Sequence, residues 1–144
     1  MLIHSASQLL TLAGGPQRGV DLGRLGIIDD GAVLIQGEAI AAVGLSAELR
    51  AAYPNEPALD ASGRVVMPGF VDPHTHLIWA GDRAGEFEMR LQGKTYLEIL
   101  AGSGGILSTV RATRAASLET LLTETRPRLR SMLAHGTTTA EAKT

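Results

Sequence analysis

The sequence predicts an α/β chain in which a block of short strands precedes a strand–helix–strand unit, and three observations carry that prediction. The first third alternates brief apolar runs with glycine-containing turns. Residues 65–71 (VVMPGFV) are apolar at successive rather than alternate positions, the pattern of a strand covered on both faces as in parallel sheets. An amphipathic helical stretch after Ser117 then leads into a β-branched run, Thr137-Thr138-Thr139.

Taken in order, Leu2 to Leu12 mixes apolar and polar residues and meets a loop signal at Gly14-Gly15-Pro16. Residues 31–44 hold two apolar runs around Gln36-Gly37-Glu38, which predicts a hairpin. Ser46 stands where it can cap a short helix through Glu48, Leu49 and Arg50 that stops before Pro54. Gly63 marks a turn ahead of the 65–71 strand. That strand runs into Asp72-Pro73-His74-Thr75-His76, with Pro73 at the edge of regular pairing. From Ala80 to Ala116 the sequence is charged and glycine-containing. Residues 96–100 read as helix there, and Gly102-Ser103-Gly104-Gly105 breaks that helix and opens a flexible loop. Ser117 is the expected N-cap of a helix through His135, with Leu118, Leu121, Leu122, Leu129, Met132 and Leu133 on one face. Pro127 removes a hydrogen bond inside that helix and predicts a kink, and Gly136 stands at its stop. Two strands joined in this way imply a right-handed parallel crossover.

Composition narrows the chemistry. At 144 residues and 44% hydrophobic content the chain can build a modest core, and with aromatics at 3% that core must be Leu, Ile, Val and Ala. A net charge of −2 with both signs interspersed leaves no electrostatic footprint for nucleic acid or an anionic membrane. There is no cysteine, so disulfide frameworks and thiolate sites are excluded and any metal must sit on nitrogen and oxygen. The first residues lack the basic region and apolar run of a signal peptide, and no stretch approaches the roughly 18 apolar residues of a membrane span. A cytoplasmic protein is expected.

His74 and His76 are the strongest chemical signal. Residues two apart on a strand point to one face, so the two imidazoles converge, and imidazole suits zinc or iron. The competing reading is a pair of surface histidines at a strand end; the apolar strand before them favours the metal. Lesser candidates are read as structural: His135 as a helix-end cap, His4 as a surface residue, Glu141 as a strand residue. The 103–105 glycine stretch lacks the Gly-Lys-Ser/Thr ending of a phosphate-cradling loop.

Residues 67–76 (MPGFVDPHTH) resemble the first-strand signature of the amidohydrolase superfamily. Residues 86–96 (EFEMRLQGKTY), 104–110 (GGILSTV) and 135–143 (HGTTTAEAK) together resemble the imidazolonepropionase family of histidine degradation. These blocks cover most of the chain after Met67, whereas the first third is only compatible with the family. Ser103 departs from the pattern, standing where the family usually has a third glycine. The resemblance implies a metal-dependent (β/α)8 barrel beside a small β-sandwich. Residues 1–66 would then be the N-terminal part of the sandwich, and 67–144 the first strand, long loop, helices and second strand of the barrel. Since such a barrel takes about 250 residues, it is incomplete in this chain.

The implied reaction is hydrolysis of the cyclic amide of 4-imidazolone-5-propanoate, a small-molecule substrate, to N-formimidoyl-L-glutamate. The implied cofactor is one divalent ion, zinc or iron, with His74 and His76 as two of its ligands. Arg83 matches a substrate-contacting arginine and would hold the propionate as a bidentate pair. The alternative is a surface arginine paired with Asp82 or Glu86, with Arg90 as the second candidate. Lys143 invites comparison with the carboxylated lysine of dinuclear amidohydrolases, but a mononuclear family and a second-strand position argue for a structural role. The remaining ligands, a His and an Asp, and the acid/base groups come from later strands, so no catalytic residue is expected within this chain. The piece alone is expected to be inactive and to bind metal weakly. Two other readings stay open: another amidohydrolase such as a heterocycle deaminase, and a non-catalytic relative that has lost the metal.

Overall fold

The two apolar runs around Gly37 fold back on each other as expected in the computed structural model of the chain, which describes residues 1–102 and 104–143. Gly37 takes φ +60°, a left-handed turn position that a side chain disfavours. The chain divides into two units, Met1–Pro68 and Gly69–Thr144.

In the first unit β1 (Leu2–Leu10) is the central strand of a five-stranded sheet. It pairs antiparallel with β2 (Ile27–Gln36), and β3 (Ala39–Leu45) closes that edge. On its other side β1 pairs in parallel with β4 (Ala58–Asp60) along its start and with β5 (Val65–Val66) along its end. Leu2 lies directly opposite Leu34, and both are fully buried with Ala32 and Leu49. Leu49 comes from helix α1 (Ser46–Ala52), which ends before Pro54 as the sequence predicts. Each such buried leucine is worth roughly 1.5–3 kcal/mol.

Ser46 does not cap α1; the cap residue is Leu45, with no side-chain bond. Its hydroxyl serves a β-bulge instead. β1 carries one extra residue between Ile3 and Ala6, and Ser5 and Asp30 sit at φ +59° and +47°. Ser46 Oγ accepts from Ser5 N at 2.7 Å and donates to Asp30 O at 2.8 Å. His4 is likewise corrected. It is buried, not on the surface, because it shares the inward phase of Leu2 and Ala6 on a strand flanked on both sides. Its Nδ1 meets Ser5 Oγ at 2.9 Å.

The second unit holds two parallel strands, β6 (Phe70–Thr75) and β7 (Thr137–Ala142). Between them run α2 (Ala84–Leu91), α3 (Tyr96–Ala101), α4 (Ile106–Ala115) and α5 (Leu118–Ala134). Residues 65–71 are therefore not one buried strand. Val65 and Val66 belong to the first sheet, Pro68 cannot donate to a ladder, and β6 starts at Phe70. Phe70 and Val71 are 52% and 66% exposed, because β6 has one neighbouring strand and the helices cover the segment after it instead. Gly69 permits the close approach of β7: a Cβ there would lie 2.2 Å from Thr138 Oγ1.

The helix over 96–100 forms as α3, while α2 and α4 were not legible. α2 contains Gly85, and α4 carries Ser108, Thr109, Val110 and Thr113, all weak helix formers. The expected 102–105 loop is a tight connection at its described residues, with Ser103 outside them. Gly102 N and Gly104 N donate back to Glu98 O and Ile99 O, and Gly105 begins α4 at φ +71°. Ser117 caps α5 as predicted, accepting from Thr120 N at 3.1 Å. α5 runs through Pro127 as a single helix. Its leucine face is not buried: Leu118, Leu122, Leu129 and Leu133 are exposed, and Thr125 is the buried position.

Candidate functional site

β6 delivers the two histidines. Asp72 Oδ1 accepts from His74 N at 3.1 Å, a local turn that ends regular pairing at Pro73, and His76 lies just past the strand. Alternation leaves both imidazoles on one side, with ring centroids 5.4 Å apart and planes at 66°. Both residues are exposed. Thr75 between them points the other way, its Oγ1 buried without a partner among the described residues, and its carbonyl accepts from Lys143 N at 2.8 Å.

The donor set fits part of a metal site. Two imidazoles sharing one zinc at about 2.0–2.1 Å and tetrahedral angles place their ring centroids roughly 5 Å apart, close to the observed spacing. They do not make a whole site, since among the described residues no cluster of three His, Cys, Asp or Glu stands close enough to hold a metal. A catalytic zinc takes three protein ligands.

Sequence reasoning missed what holds the segment after the histidines. Leu77 and Ala80 are buried. Arg128 of α5 donates through Nη1 to Leu77 O at 3.1 Å and Trp79 O at 2.8 Å, while its guanidinium carbon sits 3.6 Å over the Trp79 ring. Glu124 steadies the same guanidinium at 3.1 Å. Thr113 of α4 accepts from Ala80 N at 3.1 Å, so two helices pin this stretch. The one available hint was the Glu124/Arg128 spacing on a helix.

Arg83 precedes α2 and makes the ion pair expected of the alternative reading: its Nε donates to Glu86 Oε2 at 2.9 Å. Glu86 Oε1 accepts from Gly105 N at 2.7 Å, so one carboxylate joins the start of α2 to the start of α4. Burial pushes the Glu86 carboxyl up. The hydrogen bonds from Arg83 and Gly105, with the charges of Arg83 and Arg90, outweigh that and hold it below its ordinary value. Arg83, Glu86, Phe87 and Arg90 line one cavity of about 230 Å³, so the two arginine candidates share it, and neither histidine lines it. Lys143 Nζ pairs with Glu141 Oε1 at 2.6 Å. His135 is the C-cap of α5, with Nδ1 2.7 Å from Ser131 O, matching its expected capping role.

Residues 58–113 match the amidohydrolase family, and residues 31–55 match the bacterial imidazolonepropionase-like composite domain. The chain is 53% identical to the imidazolonepropionase of Chloroflexus aggregans, with 100% of this chain and 34% of that protein aligned. It is 51% identical to that of Herpetosiphon aurantiacus (99% and 33%) and 52% identical to that of Deinococcus radiodurans (99% and 35%). Helicobacter pylori aminofutalosine deaminase, crystallised with methylthio-coformycin, shares the fold with a TM-score of 0.60 at 19% identity, over 98% of this chain and 29% of that one. The chain thus spans about a third of the length of the curated relatives it matches, and along that third it is similar to imidazolonepropionases, with part of it matching the amidohydrolase family.

Proposed function

We propose that this chain is the part of a metal-dependent hydrolase that carries its first two ligands, and that the whole enzyme opens the cyclic amide of 4-imidazolone-5-propanoate to give N-formimidoyl-L-glutamate. The observation that carries this reading is identity above 50% to imidazolonepropionases along the chain. The paired imidazoles support it.

When bound, one zinc or iron ion acidifies water and polarises the ring carbonyl. His74 and His76 would hold it, and Arg128 and Thr113 keep the segment behind them in place. Arg83 holds the substrate's propionate. No residue of this chain is given the proton transfers. β6 and β7 are the first two strands of a (β/α)8 barrel, and residues 1–66 belong to a small β-sandwich. The exposure of Phe70 and Val71 beside a single parallel partner supports the barrel, since further strands and helices would cover them. We place the enzyme in the cytoplasm; among the described residues no helix is long and apolar enough to cross a membrane.

The test exchanges this chain for the matching third of the Chloroflexus aggregans imidazolonepropionase. The chimera should hydrolyse imidazolone propanoate with bound zinc or iron, and His74→Ala with His76→Ala should abolish both turnover and stoichiometric metal. Metal content unchanged in that double variant would refute the ligand assignment. The 144-residue chain alone should show weak metal binding and no turnover; substantial turnover would refute that expectation.

A further inference from the structure

We infer that Glu86 is a positioning residue, which aims Arg83 at a carboxylate and fastens it to the glycine turn before α4. The inference rests on the reading of Arg83 as the propionate contact and adds the device that orients it.

A guanidinium can bind a carboxylate bidentately through its Nη1–Nη2 edge or through its Nε–Nη side. Glu86 Oε2 takes Nε at 2.9 Å, and no hydrogen bond from either Nη of Arg83 is present among the described residues. The Nη edge is thereby left as the open fork, and Arg83 lines a cavity together with Arg90. Two arginines against one glutamate leave that cavity net positive, suited to a small carboxylate rather than a neutral ring.

Glu86 is itself immobilised. Its side chain is 12% exposed, and its second oxygen accepts from Gly105 N, the residue that begins α4. The contact requires glycine next door. A Cβ on Gly104 would lie 2.8 Å from Ile99 O and 3.1 Å from Glu86 Oε1, so the turn closes on the carboxylate only because position 104 has no side chain. The α3–α4 turn and the arginine are therefore set by one carboxylate, and the fork is oriented before ligand arrives.

The test titrates the 144-residue chain with two stable probes followed by NMR: 3-(imidazol-4-yl)propanoate, which has the carboxylate, and 4-methylimidazole, which lacks it. Glu86→Gln keeps an acceptor for Gly105 N but turns an NH2 group toward Arg83 Nε. Gly104→Ala displaces the carboxylate without changing any charge. Both should weaken the propanoate probe about tenfold and shift the Arg83 Nε–H resonance, since the fork is no longer pre-aimed. 4-Methylimidazole should not bind at Arg83 in the parent or in either variant, so that the loss is read on the carboxylate contact alone. Propanoate affinity within about twofold of the parent in both variants overturns the inference, as does a parent chain that does not bind the propanoate probe at Arg83. Neither probe needs metal or turnover, so a chimera that fails to hydrolyse substrate counts against the enzyme reading and not against this one.

Discussion

Truncating Arg128 to alanine should loosen the segment that follows the histidine pair. The side chain makes two charged hydrogen bonds to carbonyls, at 2.8 and 3.1 Å, and lies 3.6 Å over Trp79. A hydrogen bond to a charged group contributes about 1.5–3 kcal/mol and a cation–π contact about 0.5–2 kcal/mol, though neighbouring terms do not add. The Glu124 pair adds little, because both partners reach solvent at 23% and 39% exposure. Water can reach part of the vacated space, so the expected loss is about 2–4 kcal/mol, toward the upper end of ordinary single substitutions. Trp79 is the only tryptophan, so its fluorescence in urea reports this unit directly, with far-UV circular dichroism as a second probe. At a slope of about 1 kcal/mol/M, the midpoint should fall by about 2 M or more. Arg128→Lys keeps a cation over the ring but loses the planar guanidinium, whose Nη1 reaches both carbonyls while Nη2 holds Glu124, and should lose about half as much. A stability change below about 0.5 kcal/mol for Arg128→Ala would show that the clamp seen around Trp79 does not hold the segment.

Ser46→Ala removes the hydroxyl that satisfies the β1 bulge, leaving Ser5 N without its 2.7 Å partner in a part-buried position. The expected cost is about 1–3 kcal/mol by chemical denaturation, and an unchanged midpoint would mean that water or a rearranged bulge replaces the bond. At α3, Thr95 and Glu98 form a reciprocal capping box, and the hydrogen bonds from Thr95 N and Thr95 Oγ1 hold the Glu98 carboxyl below its ordinary value. A depressed carboxyl stabilises above its unfolded pKa of about 4.3 and loses that contribution as pH falls through the folded value. The Thr95 amide should therefore shift and lose protection relative to its intrinsic exchange rate as pH is lowered through that window; an amide whose shift and protection are indifferent to acid would contradict the box.

Local pattern sufficed for what local chemistry decides. The two-residue period alone puts His74 and His76 on one side of a strand, and they are found 5.4 Å apart. Gly37 specifies a hairpin turn, Ser117 a helix start, and the lack of cysteine leaves nitrogen and oxygen as the only metal donors. Tertiary structure decided the rest, because those features depend on partners distant in sequence. Nothing local distinguishes residues 65–71 as one strand or as two; competing pairing with β1 and β7 splits them around Pro68. His4 looks like a surface residue until β2 and β4 close over its strand. Glu86 meets Gly105 across 19 positions and Arg128 meets Trp79 across 49. Periodicity encodes which way a side chain points, whereas what it meets there depends on how the chain returns to it, and so the convergence of the histidine pair was readable from sequence while the groups that hold the neighbouring segment were not.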